Sequence, residues 1–208
     1  MDVEAKMRAS GTPIVQVGER QRTDSLVYDI ACFLLSSFSF DVVGLEKIQT
    51  PGPAIYLSNH LGPTGPIETV LSIPIRLYPW TIGEMSDPER APKYLFDDFV
   101  HPVLHLGGRF GLWFSTMLSK LSIPLFRSIG VVPIDRFSGW TADGFRLSLK
   151  LLHEGKNLLI FPEDSLLPLD PETCMSHFMP GFATLCSLYQ KEANYPLPVY
   201  PVAVHAGA

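Results

Sequence analysis

The chain has 208 residues, enough for one domain with a substantial core. Its net charge is −5 and no basic run occurs, so nucleic acid is not an expected partner, and any membrane contact is expected to be hydrophobic rather than electrostatic. Apolar residues make up 46% and mean hydropathy is +0.17, which leaves room for apolar surface that meets a membrane or an acyl chain. Three cysteines, Cys32, Cys174 and Cys186, form no C-x-x-C pair, which suggests a reducing compartment and no metal knuckle.

Residues 1–22 read as a flexible polar leader without the apolar centre of a signal peptide. Residues 23–41 read as an amphipathic N-terminal helix, carried by Leu26–Phe40, LVYDIACFLLSSFSF. That run is shorter than the roughly 20 residues a spanning helix needs, and Asp29 interrupts it. It either lies in an interface or packs on the core, and both readings stand.

Residues 42–208 read as one α/β domain with a mostly parallel central sheet flanked by helices. Phe40–Gly44 is an expected short strand, Ala54–Leu57 a buried one, Ile67–Ser72 a helix and Ile75–Ile82 a third strand. Met85–Ala91 reads as a charged loop. Phe99–Phe126 is apolar but interrupted by Gly107, Gly108, Gly111 and Pro124, which predicts two short helices rather than one long one. Gly130–Asp135 follows as a strand, Thr141–His153 as a helix capped by Thr141 and stopped by Gly155, and Asn157–Phe161 as a strand buried on both faces. Gly181–Glu192 is a helix and Leu197–Val204 the last strand. The chain ends just after that strand, which leaves open whether a closing element follows.

Three strand ends carry polar residues that a parallel sheet brings to one rim: Asn59-His60, Asp135-Arg136 and Glu163-Asp164-Ser165. A histidine at such a rim is suited to general-base work near neutral pH. His101 and His105 have helical i, i+4 spacing, but no third ligand accompanies them and no metal site is expected. Gly107–Gly111 lacks the spacing of a phosphate-binding loop.

Taken in order, these segments resemble the lysophospholipid and glycerol-phosphate acyltransferase family over roughly residues 40–204. Asn59-His60 resembles the first motif, Asn-His-x4-Asp. Gly130–Arg136 resembles the second, Phe161-Pro162-Glu163 the third (Phe-Pro-Glu-Gly-Thr-Arg), and Pro198–Val204 the fourth. The resemblance implies transfer of an acyl group from acyl-CoA or acyl carrier protein, as co-substrate, to a hydroxyl or amine of a lipid acceptor. It implies His60 as base and Asn59, Arg136, Phe161, Pro162, Glu163 and Ser165 as substrate-binding residues. No bound cofactor is implied. The implied location is peripheral or monotopic, on the cytoplasmic side of a membrane.

The chain departs from that pattern at four positions. Gly65 stands where the family has its histidine-orienting aspartate, Asp164 replaces glycine, Ser165 replaces threonine and Leu166 replaces arginine. Glu68 and Glu84 are the acids that could take over the orienting role. Losing a cation and gaining an anion beside the head-group site is expected to disfavour a phosphate-bearing acceptor, since unit charges about 4 Å apart interact by about 4 kcal/mol at an effective dielectric near 20. Gly65 and Leu166 favour a second reading, a catalytically weak relative that binds acyl chains or lipid; a third is a thioester or ester hydrolase in which His60 activates water.

Overall fold

Five short apolar runs lie side by side as parallel strands: β1 (Ile55–Ser58), β2 (Leu77–Ile82), β3 (Val132–Ile134), β4 (Asn157–Ile160) and β5 (Val199–Val202). A computed structural model describes residues 25–34, 41–48, 52–61, 65–134, 142–164, 167–173 and 175–205. The strands run in the order β3-β2-β4-β1-β5. Among the described residues, six α-helices accompany them: α1 (Leu26–Leu34), α2 (Gly65–Ser72), α3 (Ala91–Leu95), α4 (Gly108–Ile129), α5 (Ala142–His153) and α6 (Gly181–Ala193). The fold is α/β, as the alternation of apolar strands and helical patterns predicts.

The period of two along each strand sorts side chains onto two faces. Ile55, Leu158 and Ile160 meet Phe145 and Leu152 of α5 and Leu185 and Tyr189 of α6. Tyr56 and Leu159 meet Tyr28 and Cys32 of α1 and Val70 of α2, with Ile129 at the end of α4 packed alongside. Leu158, Leu159 and Ile160 are buried on both faces, which is why β4 sits centrally. Each such side chain contributes roughly 1.5–3 kcal/mol of burial.

The steps from β1 to β2 and from β2 to β3 run one way along the sheet, and their helices lie on the α1/α2 face. The steps from β3 to β4 and from β4 to β5 run back, and α5 and α6 lie on the other face. All four crossovers therefore share one hand, as parallel connections require. Chains leaving neighbouring strands β1 and β4 diverge to opposite faces, which opens a crevice between their carboxyl ends.

Several expected elements take another form. Residues 41–44, expected in a strand, are irregular, and Gly44 at φ 92° leads into a single 3-10 turn, Leu45–Lys47. The expected loop Met85–Ala91 begins inside a 3-10 turn, Gly83–Ser86, and ends as the first residue of α3. The two short helices expected in Phe99–Phe126 are corrected to a turn followed by one continuous helix, α4. Pro124 lies within α4 on its exposed side, so the hydrogen bond it removes faces solvent rather than the core. Gly111 does not break the helix but lets it pack closely. A Cβ there would stand 2.3 Å from the Leu106 carbonyl oxygen and 2.7 Å from the Phe96 ring.

Tyr28 and Cys32 are buried against the sheet, while Leu26, Ile30 and Phe33 are exposed. The expected cap at Thr141 lies outside the described residues. Gly155, at φ 76°, ends α5 as its position suggests.

Candidate functional site

The site is set by the register of β1 on β4. Leu57 pairs with Ile160, so continuing both chains by three residues brings His60 level with Glu163. The His60 backbone N–H donates to Glu163 Oε1 at 3.4 Å, and the His60 ring meets Phe161 edge-on at 5.3 Å between centroids. His60 is exposed in the mouth of the crevice between the two strand ends. The structure thus brings together His60, Phe161, Pro162 and Glu163 from two distant parts of the sequence.

Both strand ends are fixed by hydrogen bonds. Asn59 holds β1 to the chain leaving β5: its Nδ2 donates to the Val204 carbonyl at 2.9 Å, and its Oδ1 accepts from the Val204 N–H at 2.7 Å. The amide of Asn59 is therefore occupied by backbone. After β4, Glu163 forms an antiparallel bridge with Phe178. The Asp164 N–H donates to the His177 carbonyl and the Met179 N–H to the Pro162 carbonyl, at 2.9 and 2.8 Å. This zipper holds the Glu163 carboxylate over the crevice. The sequence gives no sign of it, because 175–179 carries neither alternation nor a motif.

Gly65 is the first residue of α2, and its N–H donates to the Leu61 carbonyl at 3.0 Å. A Cβ on Gly65 would meet the Leu61 Cβ at 3.2 Å and the His60 carbonyl carbon at 3.9 Å. A side chain at position 65 would thus start beside the His60 backbone. Glu68 sits half-buried in the first turn of α2.

Glu84 lies just past β2, two strands from β1, and hence roughly 10 Å across the sheet from His60. It forms an ion pair with Arg90, and its second oxygen is buried without a hydrogen-bond partner. Arg136 and Ser165 lie outside the described residues. His105 has φ 55° after an irregular turn, so the helical spacing read for His101 and His105 is not realised. Among the described residues no group of histidine, cysteine and acidic side chains could hold a metal ion.

Under the crevice, Tyr56 of β1 is fully buried against Tyr200, with ring centroids 5.3 Å apart. Burial first, and the neighbouring Tyr200 second, push its phenol well above the ordinary tyrosine range. Its hydroxyl has no hydrogen-bond partner. Tyr56 is thus part of the core between the sheet and α1 and α2.

The fold and rim define an open parallel α/β sheet with a histidine and a carboxylate straddling its switch point. No family model, no curated protein and no solved structure matches the chain. Among the described residues, no helix is long and apolar enough to cross a membrane.

Proposed function

We propose that the chain is an acyltransferase that moves a fatty acyl group from an acyl thioester to a hydroxyl or amine of a lipid acceptor at a membrane surface. The observation that carries this reading is that the β1/β4 register brings His60 level with Glu163 across the crevice, where the His60 backbone N–H donates to the Glu163 carboxylate at 3.4 Å. Those residues belong to the first and third of four motif-like segments that occur in the family's order.

In this reading the His60 imidazole takes the proton of the acceptor hydroxyl as its oxygen attacks the thioester carbonyl. The tetrahedral adduct collapses, the carbon–sulfur bond breaks, and the departing thiolate takes the proton back from the imidazolium. The thiol of the carrier and the acylated lipid leave; no covalent enzyme intermediate forms. The edge contact with Phe161 restrains the ring, and Glu163 ties the histidine's backbone to β4. Asn59 supports the same loop through Val204. The test is transfer of labelled acyl chains from acyl-CoA to a panel of neutral, amine and phosphate-bearing lipid acceptors. Faster acylation of lysophosphatidate than of neutral alcohols or amines would count against the charge reasoning at Asp164 and Leu166.

A second reading, lipid binding without turnover, is favoured by the bare Gly65 position beside His60 and by the pairing of Glu84 with Arg90. Retained lipid binding with no product from any acceptor would establish it. Free fatty acid as the sole product would point to hydrolysis, with water as the nucleophile.

A further inference from the structure

α4 is amphipathic in the reverse of the usual sense. Its buried residues are Gly111, Ser115, Ser119 and Ile123, at steps of four. Ser115 and Ser119 satisfy their hydroxyls on the carbonyls of Leu112 and Thr116, so the helix can bury them. Its large apolar side chains face outward: Phe110 is 59%, Trp113 57% and Leu121 73% exposed, with Met117 also exposed between them. These four recur at steps of three and four and form one stripe. α1, packed against α4, adds its exposed Leu26, Ile30 and Phe33.

The charges on α4 select the occupant of this face. No acidic residue occurs from Phe99 to Ile134. The three cations of α4, Arg109, Lys120 and Arg127, are all exposed and lie 11 and 7 residues apart. Those intervals are close to three and two whole turns, so the cations form a line along one side of the apolar stripe. Lys120 and Arg127 also line an open groove with Pro88, Pro92, Thr116 and Pro124. The acids that flank α4 in sequence are Asp97 and Asp98 before it and Asp135 after it, Asp97 is paired with Lys93, and Asp87 and Glu89 adjoin Pro88 of the groove. An outward apolar stripe with Trp, Phe and Leu, edged by Arg and Lys, matches a helix lying in the plane of an anionic membrane.

We infer that the outer face of α4, with Trp113 and Leu121 entering the acyl layer and Arg109, Lys120 and Arg127 at the phosphates, is the surface by which the protein docks on an anionic phospholipid bilayer. The inference deepens the membrane-surface part of the proposed function and rests on that reading for its purpose. Its test needs no catalysis, so loss of docking and loss of acyl transfer are separate results. A net charge of −5 conceals this surface, because the acids lie elsewhere in the chain.

The experiment is flotation of the full chain with vesicles of phosphatidylcholine, with and without phosphatidylglycerol. The wild type is expected to float with the anionic vesicles and to be released by salt. Replacing both Lys120 and Arg127 with alanine is expected to weaken binding about 30-fold, at roughly fivefold per cation. Trp113→Ala with Leu121→Ala is expected to abolish flotation, while circular dichroism shows the fold retained. Equal binding to vesicles lacking phosphatidylglycerol, or unchanged binding of the cation variant, overturns the inference. So does sedimentation as a dimer that Leu121→Asp dissociates, with no vesicle binding, since a second copy would then cover the face.

Discussion

Replacing Gly65 by aspartate is expected to raise acyl-transfer activity. The side chain would grow from a point 3.9 Å from the His60 carbonyl carbon, at the head of α2. The backbone permits it, since Gly65 is not among the glycines with positive φ. Three effects set the stability change. Relief of the glycine penalty is worth only about 0.3 kcal/mol within a helix, because aspartate is itself a weak helix former, and less at the helix end. An acid in the first helical turn adds about 0.3–1 kcal/mol. Against these, the 3.2 Å contact with the Leu61 Cβ forces that side chain to shift by a few tenths of an ångström. The sum is close to zero, so the variant should melt within a few degrees of wild type. The kinetic effect is larger, because weakening the carboxylate partner of a catalytic histidine costs about 10⁴ in the serine-protease triad. A gain of at least about tenfold in kcat is expected, within that ceiling. The assay is initial rate with labelled acyl-CoA and the best acceptor, with melting measured in parallel. An unchanged or lower rate in a stably folded variant refutes the reasoning, because another group would already orient His60.

Asn59→Ala removes two hydrogen bonds to Val204, so urea denaturation should show a loss of about 1–3 kcal/mol, and an unchanged midpoint would remove the clamp role. Gly111→Ala should destabilise by about 1–3 kcal/mol through overpacking on Leu106 and Phe96, although alanine ordinarily stabilises a helix; a stabilised variant would mean the contact of α4 with Leu106 and Phe96 is loose. Tyr56→Phe removes a buried hydroxyl without a partner and should leave stability equal or raise it by about 1 kcal/mol at neutral pH. Above pH of about 10 the unfolded chain releases the Tyr56 proton that the folded chain keeps, so wild-type stability falls with rising pH. Tyr56→Phe should flatten that alkaline slope, and an identical slope in both proteins would contradict the burial effect.

The sheet was legible because its strands are continuous apolar runs, and continuity is what burial on both faces demands. Leu158–Ile160 and Ile55–Leu57 are of this kind. The rim followed from parallelism alone, which places Asn59-His60 and Phe161–Glu163 at one edge whatever the strand order. The order β3-β2-β4-β1-β5 depends on which helix covers which face, and no local pattern encodes that. α4 was misread because glycine and proline were weighed by propensity. Gly111 serves packing, and Pro124 points to solvent. A helical wheel drawn over 108–129 would have lined up Gly111, Ser115 and Ser119 and exposed the reversed amphipathicity. Asn59 looked like a crevice residue, and its engagement with Val204 depends on a partner 145 positions away.

His60→Ala bears on acyl transfer with the fewest intervening assumptions. Wild type and variant are incubated with labelled acyl-CoA and the acceptor panel, and acylated lipid is separated from free fatty acid. Transfer by the wild type should fall by about 10²–10⁴ in the variant, the range a general base supplies, with the fold unchanged. Undiminished transfer by His60→Ala, or no acylated lipid from the wild type with any acceptor, would contradict the assignment.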